Sequence, residues 1–315
     1  MPNTKSRCAG SRSGATRFIP QSFFRLAFLL FAVFSSCAVL SCATLSPVDG
    51  ARHFPSRFNS ALDILPVWED FPSAGSGVSF FSGSLLKPEM RFYAVRIDLL
   101  DGGLRIAVSG GENGKSMRVS SFVRNGNLIA GINALPFAPV SAREGEPREN
   151  IGIVVSDGEF VSQPDPHFDA LVFYRDGSAA VKNQAEITEE HNIENAVGGF
   201  YRILEEGRPA ARVSGLRQRH PRSAAGISQD GRFLYLLVID GRQPASIGAT
   251  EEETALVLLA MGAGEGINLD GGGSTSLALR FPDGRVRPVN TPIHNRIPGL
   301  ERAVAGSIGV GLTEK

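Results

Sequence analysis

Hydrophobic positions along this chain recur mostly with period two and in short runs. Residues 91–99 (RFYAVRIDL) place Tyr93, Val95, Ile97 and Leu99 on one face of an extended segment. Residues 128–132, 151–156 and 170–174 are further apolar runs bounded by Gly, Asp or Asn, and 307–312 predicts a last strand. Residues 233–239 (FLYLLVI) are apolar without interruption, the pattern of a central strand covered on both faces. Asp157-Gly158, Asp176-Gly177, Asp230-Gly231 and Asp283-Gly284 punctuate such runs as turns. One helix has a clear start. Thr250 followed three residues later by Glu253 is a capping box, and the pattern continues to Met261 and stops at Gly262. Strand (233–239), helix (251–261) and strand (267–269) then read as a crossover. The expected class is α+β: a single domain with a mixed, largely antiparallel sheet, few helices and one βαβ-like unit near residues 233–269.

The start of the chain has a different character. Lys5, Arg7, Arg12, Arg17 and Arg25 precede an apolar run at 26–40 (LAFLLFAVFSSCAVL), short for a membrane span and of the length of a signal-peptide core. Val39-Leu40-Ser41-Cys42 resembles a lipobox. Residues 1–42 are expected to be a signal peptide ending there, with Cys42 lipidated and the protein exported and anchored to a membrane; plain secretion with cleavage nearby, or an uncleaved anchor, is the rival reading. Residues 43–75, rich in Pro, Ser and Ala, read as a tether in which Trp68 and Phe71 dock back onto the body. Residues 76–315 form one domain of roughly 240 residues.

Cys8, Cys37 and Cys42 are the only cysteines, so the expected domain has no disulfide, thiolate metal site or cysteine nucleophile. Of 32 basic and 32 acidic residues, five basic and no acidic ones precede Cys42. The remainder is mildly acidic, which disfavours nucleic acid as a partner.

Candidate chemistry concentrates at 268–275 (NLDGGGST). An apolar run ends in Asp270, and Gly271, Gly272, Gly273 and Ser274 follow. Glycines let a ligand approach the main chain, and successive N–H groups can form an anion nest. Standing alone, such a run is more often a tight turn whose Asp satisfies backbone donors. Three more segments accompany it in order: Arg222-Ser223-Ala224-Ala225-Gly226-Ile227, then Val238-Ile239-Asp240-Gly241-Arg242, then Gly248-Ala249-Thr250 with Glu253. Together they resemble the phosphodiester glycosidase family. Ala130-Gly131-Ile132-Asn133, Val197-Gly198-Gly199 and Glu301-Arg302-Ala303-Val304 extend the resemblance over most of 90–312. The chain departs from the family after Asn133, where Ala134-Leu135-Pro136-Phe137 stands in place of two glycines and an aromatic pair; Pro136 restricts Leu135 before it.

The resemblance implies hydrolysis of a sugar-1-phosphodiester at the anomeric C–O bond. A phosphate leaves more readily than an alcohol, so cations and oriented N–H donors can replace much of a general acid. Asp270 is then nucleophile, general base or oxocarbenium stabiliser, with Arg222 on the phosphate and Asn133 on a sugar hydroxyl. Arg242, Arg302, Gly271, Gly272, Gly273 and Ser274 complete the phosphate side. Asp240 is either a site residue or the structural partner of Arg242. Glu301 pairing with Arg302, and Glu253 as a helix cap, are expected to be structural; His220 and His294 are candidates for proton transfer, although a lone His is more often structural. Asp270, Asp240 and nearby carbonyls could hold a hard divalent cation such as calcium, whereas no HxH or HExxH spacing exists for zinc. The expected partners are a glycan or sugar-phosphate substrate and, through Cys42, a membrane. Two other readings fit the same residues: a catalytically weak surface protein that binds anionic glycans, and a metal-dependent phosphodiesterase that cuts P–O.

Overall fold

The computed structural model describes residues 64, 66–70, 77–110, 114–188 and 192–313. Cys42, Phe71 and the expected signal peptide lie outside the described residues. An eight-stranded sheet runs in the order Glu69–Asp70, Val78–Leu86, Glu89–Asp98, Phe233–Ile239, Arg222–Ser228, Ala263–Asn268, Tyr201–Glu205, Arg208–Pro209. One five-stranded sheet runs Ala179–Asn183, Asp169–Tyr174, Ile193–Gly198, Val154–Ser156, Glu159–Ser162. Another runs Val286–Pro288, Leu277–Arg280, Ala130–Asn133, Ser307–Leu312, Leu104–Ser109. Phe137–Ala138 pairs with Glu149–Asn150.

Side-chain alternation joins these sheets. Val95, Ile97, Leu236 and Val238 of the eight-stranded sheet share one core with Leu171 and Val197 of the first five-stranded sheet and Ile132, Leu277 and Ile308 of the second. The alternate residues Phe92, Ala94, Leu237 and Ile239 point the other way, onto Ala255 and Leu258 of the helix at 251–261. Each fully buried Leu or Ile contributes about 1.5–3 kcal/mol of burial. Tyr93 and Leu99 lie on the same core face as Val95 and Ile97, as the period-two pattern predicts. Trp68 stacks on Phe81 and Tyr235, at 5.7 and 5.9 Å between ring centres.

The α+β expectation is overturned. Among the described residues there are two α-helices, α1 (Val119–Asn125) and α2 (Glu251–Met261), and every strand pair is antiparallel, so the fold is β-rich. Phe233–Ile239 and Ala263–Asn268 do run parallel, but Arg222–Ser228 sits between them and is antiparallel to both. The connection through α2 therefore skips a strand and makes no parallel ladder. The unbroken apolar run at 233–239 signals cover on both faces, which here comes from the neighbouring sheets and from α2.

Local helix signals fared according to length. α2 has the capping box: the Thr250 hydroxyl accepts from Glu253 N–H at 3.1 Å, and the Glu253 carboxylate accepts from Thr250 N–H at 2.9 Å. Thr250→Ala is expected to cost about 1 kcal/mol of stability, read as a lower urea midpoint with unchanged m-value. α1 has no side-chain cap of its own. Its Ser120 N–H donates instead to Glu301, at 2.9 Å, so the helix start depends on a carboxylate distant in sequence.

Candidate active site

The strand Ala263–Asn268 hands the chain to Leu269 and Asp270, and backbone bonds fix where Asp270 stands. Leu269 N–H donates to Ser223 O at 2.9 Å and Asp270 N–H to Ala134 O at 2.7 Å. Asn133, fully buried, donates from Nδ2 to the Asp270 carbonyl. Its Oδ1 accepts from the Ser223 hydroxyl at 2.7 Å and from Ser276 N–H at 3.1 Å. Three of its four hydrogen-bonding positions are thus spent on protein. Asn133 sets the backbone that carries Asp270, and no hydrogen bond joins its amide to the Asp270 carboxylate. The unusual Ala134-Leu135-Pro136 stretch is buried beneath this loop: Ala134 N–H donates to Gly306 O at 3.0 Å, and Pro136 O accepts from Ile151 N–H at 3.0 Å.

The glycines admit side chains more than they form a nest. Gly272 N–H donates to Pro221 O at 2.8 Å and Ser274 N–H to Gly271 O at 3.1 Å, so half of the N–H groups at 271–274 are already taken by backbone carbonyls. Gly272 has φ +63°, and a Cβ there would stand 3.2 Å from Arg242 Nη2. A Cβ at Gly273 would collide with the Arg302 guanidinium. Arg302 can therefore lie against the loop because Gly273 lacks a side chain, and Arg242 fits closely beside Gly272. Arg242 is exposed, with φ +58°, and its Nη2 lies 3.4 Å from His220 Nδ1. Arg302 donates from Nη1 to the Ser274 hydroxyl at 2.9 Å and from Nε to His294 Nδ1 at 3.0 Å. Ser274 in turn hydrogen-bonds the Asp270 carboxylate.

The other expected site residues lie apart from this cluster. Arg222 was expected to face a phosphate. Its Nε donates to Ala249 O at 3.0 Å, Nη1 to Glu251 at 3.0 Å and Nη2 to Gln218 O at 3.2 Å. Strand alternation explains this: Ala224 packs on the α2 side, so Arg222, two residues earlier, faces α2 as well. Glu251 also accepts from Tyr201 OH at 2.6 Å. Arg222→Ala leaves the Glu251 carboxylate buried without its cation, and a loss of about 3–5 kcal/mol in denaturant-measured stability is expected. Asp240 is buried and holds Asn290 Nδ2 at 3.2 Å and Thr291 N–H at 3.0 Å, with no bond to Arg242. It thereby anchors the 290–300 loop that supplies His294. Glu301 accepts from Ser120 and Ser276 rather than pairing with Arg302.

Burial sets the electrostatics. Asp270 keeps some solvent contact, yet its packed surroundings push its pKa up to about 6, against the lowering effects of the Ser274 hydrogen bond and the Arg302 charge. Burial likewise raises Asp240 to about 6. Arg302 is lowered from its ordinary value by burial, with Asp270 opposing and the like charge of Arg242 adding to the shift. His294 is lowered by burial and by Arg302, and its Nδ1 accepts from Arg302, so the ring is neutral with its proton on Nε2. His220 is lowered by burial, then by Arg222 and Arg242. For the expected cation, no group of three or more His, Cys, Asp or Glu residues suited to a metal occurs among the described residues. Asp240 turns its carboxylate to Asn290 and Thr291. The arrangement can do one kind of chemistry well: two guanidiniums hold an anion while a desolvated carboxylate stands beside it. The sequence marks His294 only as a proton-transfer candidate; the loop that delivers it makes it an acceptor for Arg302.

The SPbeta prophage-derived uncharacterized protein YomE of Bacillus subtilis (strain 168) is 26% identical over 174 residues, covering 51% of this chain and 26% of that protein. This chain thus spans about a quarter of that relative's length. In fold it is similar to the catalytic domain of zebrafish N-acetylglucosamine-1-phosphodiester alpha-N-acetylglucosaminidase, auto-inhibited by its pro-peptide. The TM-score there is 0.58 at 17% identity, over 80% of this chain and 89% of that one. A hypothetical protein from Synechocystis is similar at TM-score 0.58 and 16% identity, over 75% of this chain and 62% of that one. The phosphodiester glycosidase family matches residues 126–311. That match spans more than half of the chain and takes in the whole Asp270 cluster, so the protein belongs to the phosphodiester glycosidase family.

Proposed function

We propose that this protein is an exported, lipid-anchored hydrolase that cleaves sugar-1-phosphodiesters of envelope glycans at the anomeric C–O bond. The observation that carries the reading is the convergence of Arg242 and Arg302 on Gly272 and Gly273 beside Asp270. In this reading the two guanidiniums hold the phosphate oxygens and stabilise the charge that grows as the phosphate leaves. Asp270 faces the anomeric carbon, where its carboxylate stabilises the developing positive charge and directs attack. The phosphate departs with its bridging oxygen, and the oxygen of water ends on the sugar.

Hydrolysis in ¹⁸O-labelled water tests the bond that breaks. Label in the released sugar is expected, and label in the phosphate would instead assign P–O cleavage. The pH profile tests the role of Asp270. A carboxylate that must be ionised gains activity as pH rises through about 6. Loss of activity above that point would make Asp270 an acid instead.

A further inference from the structure

A cavity of about 500 Å³ opens where the Ala179–Asn183 strand approaches the Tyr201–Glu205 strand, and no residue of the Asp270 cluster lines it. Its size is that of a small-ligand pocket. Lys182, Arg202 and Arg212 supply positive charge to the lining, and carboxylates including Asp169, Glu205 and Glu265 balance it. Most of these groups are already engaged. Asp169 accepts from Arg202 N–H at 2.6 Å and from Asn183 at 3.0 Å, Glu205 takes Arg202 Nη1 at 2.9 Å, and Glu265 accepts from Val181 N–H at 3.3 Å. Arg212 lies over the Tyr201 ring at 4.6 Å, and Lys182 stands exposed at the rim.

The lining narrows the ligand class. Near-balanced charge gives a strongly charged ligand no net attraction, and the apolar lining residues are small (Ala180, Val181, Ala210), which gives a lipid tail or aromatic ring little to bury. Hydroxyl groups both donate and accept, and so suit a wall that mixes carboxylates with guanidinium and amide donors. The cavity also shares a strand with the candidate active site. Glu265 lies in Ala263–Asn268, which runs on to Asp270, and Arg202 pairs with Ile267 of that strand. Five residues of extended chain separate Glu265 from Asp270, roughly 17 Å, a distance that a few linked sugars cover. We propose that this cavity is a second carbohydrate site, which takes an uncharged oligosaccharide segment of the substrate away from the scissile phosphodiester. This assignment of substrate class rests on the phosphodiester glycosidase reading.

The test has a binding arm and a kinetic arm. In the first, the ¹⁵N-labelled protein is titrated with two neutral trisaccharides, chitotriose and maltotriose. Shifts at the amides of Lys182, Arg202 and Glu265 are expected with at least one, and their absence with both overturns the proposal. Lys182→Ala combined with Glu186→Ala, both exposed and at the rim, is expected to weaken that binding about tenfold, whereas Asp270→Asn leaves it unchanged. In the second arm, the same double variant is expected to raise KM about tenfold for a sugar-1-phosphodiester with a trisaccharide aglycone, and to leave a methyl aglycone unaffected. Equal effects on both substrates overturn the proposal. If the wild type hydrolyses neither diester, the glycosidase reading fails, while the titration still decides the cavity.

Discussion

Asp270→Asn is expected to lower kcat/KM on a sugar-1-phosphodiester by about 10²–10⁴-fold and at the same time to stabilise the fold. Both effects have one cause. Burial holds the Asp270 pKa at about 6, above the ordinary carboxylate value of 3.8, so the folded protein binds this proton more tightly than the unfolded chain does. Stability therefore falls as pH rises between those two values, and the full cost of the ionised carboxylate is present above about 6. Asparagine cannot ionise, and its Oδ1 can still accept the Ser274 hydrogen bond. The gain at pH 8 is about 1–2 kcal/mol, because partial solvent contact and the lost counter-charge of Arg302 reduce it below the value for a fully buried, isolated group. Thermal unfolding would show a Tm higher by about 2–8 °C at pH 8, and a gap that closes near pH 4. Turnover within tenfold of wild type would remove Asp270 from the reaction. A variant no more stable than wild type at pH 8 would mean that the carboxylate is better solvated than its packing implies.

Arg302→Ala is expected to cost about 10²–10³-fold in kcat/KM and to raise the inhibition constant of inorganic phosphate. Arg302→Lys should not restore either quantity. The guanidinium donates from Nη1 to Ser274 and from Nε to His294, and a lysine ammonium cannot hold both directions while facing a phosphate. His294 makes the prediction sharper. Its neutral ring accepts from Arg302 Nε, so His294→Leu should move phosphate affinity toward the Arg302→Ala value, while His294→Gln, which keeps an acceptor, should retain part of it. Phosphate inhibition unaffected by Arg302→Ala would leave Arg242 as the anion-holding group.

The Arg222 and Arg302 positions show how far local sequence reaches. Both arginines sit in segments that resemble the family, and nothing in their immediate neighbours tells them apart. Alternation along Arg222–Ser228 turns the Arg222 guanidinium to α2, whereas Arg302 reaches Gly273 because the loop fastened by Asp240 brings His294 to one side of it and the glycine loop brings Ser274 to the other. The Gly271–Gly273 run was legible as a loop built for close approach. What approaches, two guanidiniums, was not, because a glycine records only that space is needed. Asp240 and Glu301 follow the same rule. Asp240 reads as a site residue or as the partner of Arg242, and Glu301 as the partner of Arg302, yet each is satisfied by groups far along the chain.

From the sequence alone came the strand segments, the capped helix at 251–261 and the family, since periodicity, capping boxes and motifs are contiguous and need no partner to be read. Tertiary structure alone decided the β-rich class, by inserting Arg222–Ser228 between two strands that otherwise read as neighbours. It also decided which charges meet at Asp270. Strand order and side-chain convergence depend on long-range pairing and on the face each side chain takes, and a short apolar run is compatible with several such pairings.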